Sequence, residues 1–299
     1  MKKLTVKKMM ALSLAGVMSL TLLSACGGGT TTETPAPAES QPAVESQAPE
    51  TPAEPTIVTV GVVGTNNDQW KTVNEILAKD NIKVELVEYT AYNMPNDALN
   101  AGEIDLNAFQ HKAYLNNEIA SEGYDITVLG DTIIAPLSLY SNKISSVSEL
   151  KAGDKIAVPM DATNEGRCFK ILEAEGVLTV DPAAGYVPEL KDITDNPLNL
   201  EFVEVEAAYT ASQLDDPQVV AAFVNGAHAV DNGLKLSDAI CTESVQSGSD
   251  NPYINIIACR TADLNNEVYQ KVLAAYQTAQ VAQAIEDIFQ GLYQPAFQY

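Results

Sequence analysis

Two short segments of this 299-residue chain hold most of the side chains that could bind or react. In Pro159-Met160-Asp161-Ala162-Thr163-Asn164-Glu165-Gly166-Arg167, Asn164 and Arg167 stand at i and i+3 in the first turn of an expected helix. That spacing lets both side chains face one side. A helix N-terminus favours an anion, and a guanidinium offers a carboxylate a forked, two-bond grip. In residues 102–115, a strand end carrying Phe109 runs into a helix start carrying His111 and Tyr114, so three rings can converge near one loop. Each segment also has a plain structural reading. The first is then a capped helix with a surface arginine, and the second a strand-to-helix connection with core aromatics.

Catalytic signals are scarce. The chain has two histidines, His111 and His228, and no HExxH, GxSxG, P-loop or dinucleotide-binding glycine pattern. A transition-metal site wants three or four close His, Cys or carboxylate ligands, which two distant histidines do not supply. The carboxylates are many, but no spacing singles out an acid/base pair. No catalytic residue, metal site or cofactor is expected.

The elements that must position these segments alternate along the chain. Residues 56–64 form a nearly continuous apolar, β-branched run ending in glycine, as in a central strand buried on both faces. Asn66, Asn67 and Asp68 cap a helical stretch with apolar Trp70, Val73, Ile76 and Leu77. Strands are expected at 82–87, 125–129, 133–140, 155–159, 201–206, 219–224 and 254–259. Helices are expected at 97–102, 147–150, 164–176 and within 265–292. Such alternation predicts an α/β fold with mainly parallel sheets. The segments 133–140 and 254–259 are candidate crossings between two lobes, with 56–141 and 244–299 forming the first lobe and 142–243 the second.

Ahead of this domain, Lys2, Lys3, Lys7 and Lys8 precede an apolar run of about 15 residues, 9–23. That is an export signal, shorter than the roughly 20 residues of a membrane span. It ends in Leu23-Ser24-Ala25-Cys26, which resembles the lipobox of bacterial lipoproteins. The resemblance implies that 1–25 is removed and that Cys26 carries lipid, anchoring the protein outside the cytoplasm. An ordinary secretory peptide with a chance cysteine is the other reading. The segment from Cys26 through 55 is rich in Pro, Ala, Glu and Thr, without aromatic or basic residues, and is expected to be a disordered tether.

The net charge is −23, and taking away the four leader lysines leaves −27. Such a surface repels nucleic acid and anionic headgroups, which need clustered Lys or Arg. Beyond Cys26 remain Cys168, Cys241 and Cys259, an odd number without CxxC. Three buried thiols are expected, with a Cys241–Cys259 bridge open as an alternative.

Asp105-Leu106-Asn107-Ala108-Phe109-Gln110-His111-Lys112-Ala113-Tyr114-Leu115 and Asp161-Ala162-Thr163-Asn164-Glu165-Gly166-Arg167 resemble the signature blocks of NlpA-type methionine-binding lipoproteins. These are the substrate-binding components of methionine ABC importers. The resemblance continues through Tyr89-Thr90-Ala91-Tyr92-Asn93-Met94-Pro95-Asn96, then 136–141, 205–208 and 251–257. It implies a two-lobed, periplasmic-binding-protein-like fold with the ligand cleft between the lobes. It also implies that Arg167 holds the α-carboxylate with Asn164 beside it, and that Asn225 bonds the polar head. Tyr92, Phe109, His111 and Tyr114 would line the side-chain pocket. The implied partners are methionine or a related small molecule, an ABC importer permease and a membrane reached through the lipid anchor. The protein is expected to be a monomer on the extracytoplasmic face of the cell membrane.

The chain departs from the family pattern at Ala113 and Ala162, where proline is usual, and at Met160, where asparagine is usual. His228-Ala229 replaces Tyr-Ala, and Tyr209-Thr210-Ala211-Ser212 replaces Gln-Leu-Pro-Arg. The head-group contacts are kept, while D-methionine, a methionine-containing dipeptide and another apolar amino acid stay open as ligands. Two other classes compete: an extracellular enzyme acting on small peptides, which needs a nucleophile or metal site, and an adhesion lipoprotein of the same fold.

Overall fold

The β-branched run at the start of the domain forms strand β1 (Thr56–Val63), buried without interruption from Val60 to Val63. A computed structural model describes residues 54–244 and 251–299. The expected leader, Cys26 and the tether as far as residue 53 lie outside the described residues. After β1 come α1 (Gln69–Leu77), β2 (Ile82–Tyr89), α2 (Met94–Ala101), β3 (Leu106–Asn107), α3 (Lys112–Glu122) and β4 (Ile126–Ile134). The middle of the chain supplies β5 (Ser138–Tyr140), β6 (Lys155–Pro159), α4 (Ala162–Ala174), β7 (Thr179–Val180), β8 (Ile193–Asp195), β9 (Glu201–Val205), β10 (Val219–Val224), α5 (Gly226–Asp231) and β11 (Ala239–Thr242). The chain ends with β12 (Ile254–Arg260), α6 (Glu267–Tyr276), α7 (Ala279–Phe289) and β13 (Gln294–Pro295).

Two sheets carry two α/β lobes. The first has the order β13-β4-β12-β3-β1-β2 and the second β11-β5-β10-β6-β9. The mainly parallel pairing expected from the alternation is found only at one side of each sheet. β1 runs parallel to β2 and β3, and β6 parallel to β9 and β10. β12 and β5 pair antiparallel with both of their neighbours. Strand direction is decided where the chain crosses between lobes, and a buried apolar run reads alike in either direction.

The expected strand 133–140 is two strands in different sheets. Ile133 and Ile134 end β4 and Ser138 begins β5, with Pro136, which has no N–H to give a ladder, between them. Ser138–Tyr140 therefore joins the second sheet, four residues ahead of the expected change of lobe after 141. The return crossing precedes β12, since Ile254–Arg260 lies wholly in the first sheet. Glu243 N donates to Leu137 O at 2.9 Å, so the two crossings touch.

Packing secures each lobe. On the first, α1 meets α6 through Trp70 and Tyr276, whose ring centroids lie 5.1 Å apart. On the second, Phe169 of α4 packs with Ile156, Val158 and Phe223 under the sheet. Cys168, Cys241 and Cys259 are free, buried thiols.

Candidate ligand-binding cleft

The strand ends and helix starts of both lobes open onto one cavity of about 440 Å³, part of it continuous with solvent. That is near the lower end of small-molecule pockets. All seven candidate ligand residues line it: Tyr92, Phe109, His111 and Tyr114 from the first lobe, and Asn164, Arg167 and Asn225 from the second.

Local rules set each group. Asp161 caps α4 by accepting from Asn164 N at 3.0 Å, and its carboxylate also receives Thr163 Oγ1 and Asn164 Nδ2. The helix starts two residues earlier than expected, at Ala162, so Asn164 and Arg167 sit in its first turns, both buried. His111 caps α3: its Nδ1 accepts from Tyr114 N at 3.0 Å. The ring proton is thereby assigned to Nε2, which donates to Asn164 Oδ1 at 3.3 Å. The same oxygen accepts from Asn225 Nδ2 at 2.9 Å and from Arg167 Nη1 at 3.1 Å. Asn164 is thus the point at which His111 of the first lobe meets two polar side chains of the second.

Behind His111 lies a buried amide network. Asn96 Nδ2 donates to Gln110 Oε1 at 2.9 Å, and Gln110 Nε2 returns to Asn96 Oδ1 at 2.7 Å. Asn107 Nδ2 adds a third bond, to Asn96 Oδ1. Fully paired, such a network holds the backbone before His111 in one conformation.

The aromatic wall is closely built. Tyr92 lies 6.0 Å from both Phe109 and Tyr114, and Phe109 lies 5.9 Å from Tyr114. His228, at the position where the chain departs from the family pattern, lies with its ring centroid 5.2 Å from that of Tyr92, the two planes tilted by 42°.

Electrostatics divide the site. Burial, with the Arg167 charge adding to it, pushes His111 down to about 3, so its ring is neutral. Burial works against the charge of Arg167, but Glu243 beside it more than offsets this and raises the guanidinium above its usual value. Burial raises Asp161, against the lowering effect of its bonds from Asn164 and Thr163.

Several groups at the site had no assigned role in the sequence. Glu243 accepts from Arg167 through Nε at 3.1 Å and through Nη2, so the fork expected to hold a ligand carboxylate holds Glu243. Tyr253 lies under the guanidinium, 4.5 Å from ring centre to Cζ. Asn255 and Tyr293 line the cavity as well. Asn255 and Tyr253 fall inside the 251–257 block that carries the family resemblance, but Glu243 stands 76 residues from Arg167 with no motif to mark it. Asn225 Oδ1, a buried acceptor lining the cleft, has no hydrogen-bond partner among the described residues. Among those residues, no group of three or more His, Cys, Asp or Glu is arranged to hold a metal ion.

Comparison with known proteins places this arrangement. The family model described as NlpA lipoprotein matches residues 58–297. The D-methionine-binding lipoprotein MetQ of Escherichia coli K12 is 37% identical over 241 residues, covering 80% of this chain and 88% of the relative. A probable D-methionine-binding lipoprotein MetQ of Vibrio cholerae is 41% identical over 237 residues, covering 78% and 86%. Among solved structures, a nutrient-binding protein from Burkholderia cenocepacia bound to methionine superposes with a TM-score of 0.76 at 35% identity, covering 80% of this chain and all of that one. With the family model matching residues 58–297, nearly the whole of the two-lobed domain, the chain belongs to the NlpA lipoprotein family.

Proposed function

We propose that this protein is a solute-binding protein that closes its lobes on methionine and delivers it to an ABC importer. It is not an enzyme. The observation that carries the ligand class is the polarity of the cleft. Its lining combines a buried cation, Arg167, and an unpartnered acceptor, Asn225 Oδ1, with the rings of Tyr92, Phe109 and Tyr114. In this reading the ligand carboxylate meets Arg167 beside Asn164. Asn225 Oδ1 and Asn255 take the ammonium group, and the thioether packs against ring edges, where sulfur is favoured. A zwitterion is buried at tolerable cost only when both charges are met. L-methionine is the leading ligand. D-methionine is the second, favoured by the names of the E. coli and V. cholerae relatives.

The finer assignments belong to the same reading. Residues 1–25 direct export, Cys26 carries the lipid, and the segment to residue 55 tethers a monomer at the extracytoplasmic face of the membrane beside its permease. The lobes divide as 56–137 with 253–299 and as 138–243, following the sheet membership of β5. Loss of membrane retention in a Cys26→Ala variant tests the anchor.

Titration calorimetry tests the ligand. L-methionine should bind saturably, and the D enantiomer and methionyl dipeptides rank specificity. No saturable heat with any of them overturns the reading. Arg167→Ala should weaken binding about a hundredfold or more, the scale of a lost charge-assisted contact.

A further inference from the structure

Arg167 is only 3% exposed, yet its guanidinium is largely satisfied from within the chain. Nε and Nη2 donate to the two oxygens of Glu243, Nη2 also donates to Ala135 O at 3.2 Å, and Nη1 donates to Asn164 Oδ1 at 3.1 Å. A guanidinium has five N–H groups. One on Nε, two on Nη2 and one on Nη1 are therefore engaged, which leaves a single N–H on Nη1 for a ligand. Glu243 is itself fixed. Its N donates to Leu137 O at 2.9 Å and its Oε2 accepts from Leu137 N at 3.2 Å. The pair is thus anchored on both crossings between the lobes, Ala135 and Leu137 on one and Glu243 and Tyr253 on the other.

We propose that Glu243 is a specificity-determining residue that makes the cleft select zwitterions over simple carboxylates. The proposal rests on the amino-acid reading above. Arg167 is the only Lys or Arg among the residues lining the cavity, and Glu243 already balances its charge. A carboxylate entering beside a neutral pair becomes a buried, uncompensated anion, which is costly. A ligand that brings its own ammonium group avoids this cost and supplies the donor that Asn225 Oδ1 lacks. Asp161, whose carboxylate accepts from Asn164 Nδ2, places a second acidic group next to the residue that contacts Arg167. The neutral ring of His111 does not oppose it. Among the described residues that line the cleft no second cation stands beside the Arg167–Glu243 pair, and selection arises from that as much as from what is present.

The test compares L-methionine with its deamino analogue, the same thioether acid without the amino group, by calorimetry on the wild-type protein and on Glu243→Gln. The wild type should strongly prefer methionine. In Glu243→Gln the preference should shrink about tenfold or more, because the freed Arg167 can hold a lone carboxylate. Equal weakening of both ligands would show a merely structural role and overturn the proposal. So would a wild type that binds the analogue as tightly as methionine. Should Glu243→Gln fail to fold by circular dichroism, Glu243→Asp decides: with the charge kept and the reach shortened, overall affinity falls while the preference stays, and a lost preference overturns the proposal. A wild type that binds no methionine sinks the functional reading itself, which keeps the two failures apart.

Discussion

His111 and Asn164 are 53 residues apart in the chain and meet side chain to side chain at 3.3 Å, each held by its own helix cap. The contact joins the two lobes across the cleft through a neutral imidazole. Burial and the nearby Arg167 depress His111 to about 3, below the roughly 6.5 of an unfolded histidine. The unfolded chain therefore binds the proton more readily. The stability linked to neutral His111 is fully present above about pH 6.5 and is lost as pH falls toward about 3. The ring protons of His111 should keep their neutral-form NMR shifts through the whole range in which an ordinary histidine titrates. A midpoint near neutrality would contradict this geometry.

Gly226 follows Asn225 and opens α5 against the C-terminal segment. A Cβ there would lie 2.7 Å from the Tyr293 ring and 2.9 Å from Ala135 Cβ. Neither neighbour is the loose end of a flexible chain, so Gly226→Ala should cost about 1–3 kcal/mol of stability by overpacking. It should also displace Asn225 and weaken ligand binding, as read by thermal denaturation and calorimetry on one preparation.

Asp231, at the other end of α5, reaches the loop after β1. Its carboxylate accepts from Thr65 N at 3.1 Å, from Thr65 Oγ1 at 3.1 Å and from Asn66 Nδ2 at 2.8 Å. Gly64, with φ at +83°, turns that loop toward it. These exposed bonds tie the loop after β1 of the first lobe to α5, which follows β10 of the second, and solvent weakens each of them. Asp231→Ala should lower stability by about 1 kcal/mol. Ligand release should quicken a few-fold with the association rate nearly unchanged, measured by stopped-flow fluorescence.

Glu165, buried in the first turns of α4, is pushed up to about 8 by burial and then by the charge and hydrogen bond of Glu204. The folded chain holds this proton more tightly than the unfolded chain. The associated stability is complete below about pH 4.5 and is lost as pH rises through about 8. Glu165→Gln should remove that alkaline loss, raising the unfolding midpoint by a few degrees above pH 8 while changing it little at pH 5. Equal shifts at both pH values would contradict the buried-acid account.

The legible part of this protein was local. Whereas the caps by Asp161 and His111 emerged only in the structure, the β-branched run of β1 and the spacing of Asn164 and Arg167 depend on residues within one or two turns of each other. Position and residue type therefore constrain them directly. The seven side chains that line the cleft were legible for the same reason, since each sits in a strand-end or helix-start block, and the family resemblance joined those blocks.

Whatever depended on distant chain segments was decided by the tertiary structure. Pro136 marks a break, but only the pairing of β5 with β10 and β11 puts 138–140 in the second sheet. Strand direction in the mixed sheets followed from where the chain crosses between lobes. The most consequential case is Arg167. The sequence established a guanidinium at a helix N-terminus, with the chemistry to grip a carboxylate. Which carboxylate fills its fork depended on the approach of Glu243, 76 residues further on, carried there by the second crossing. An ion pair is a matter of distance, and no local rule fixes the distance between segments that meet only when both sheets have formed.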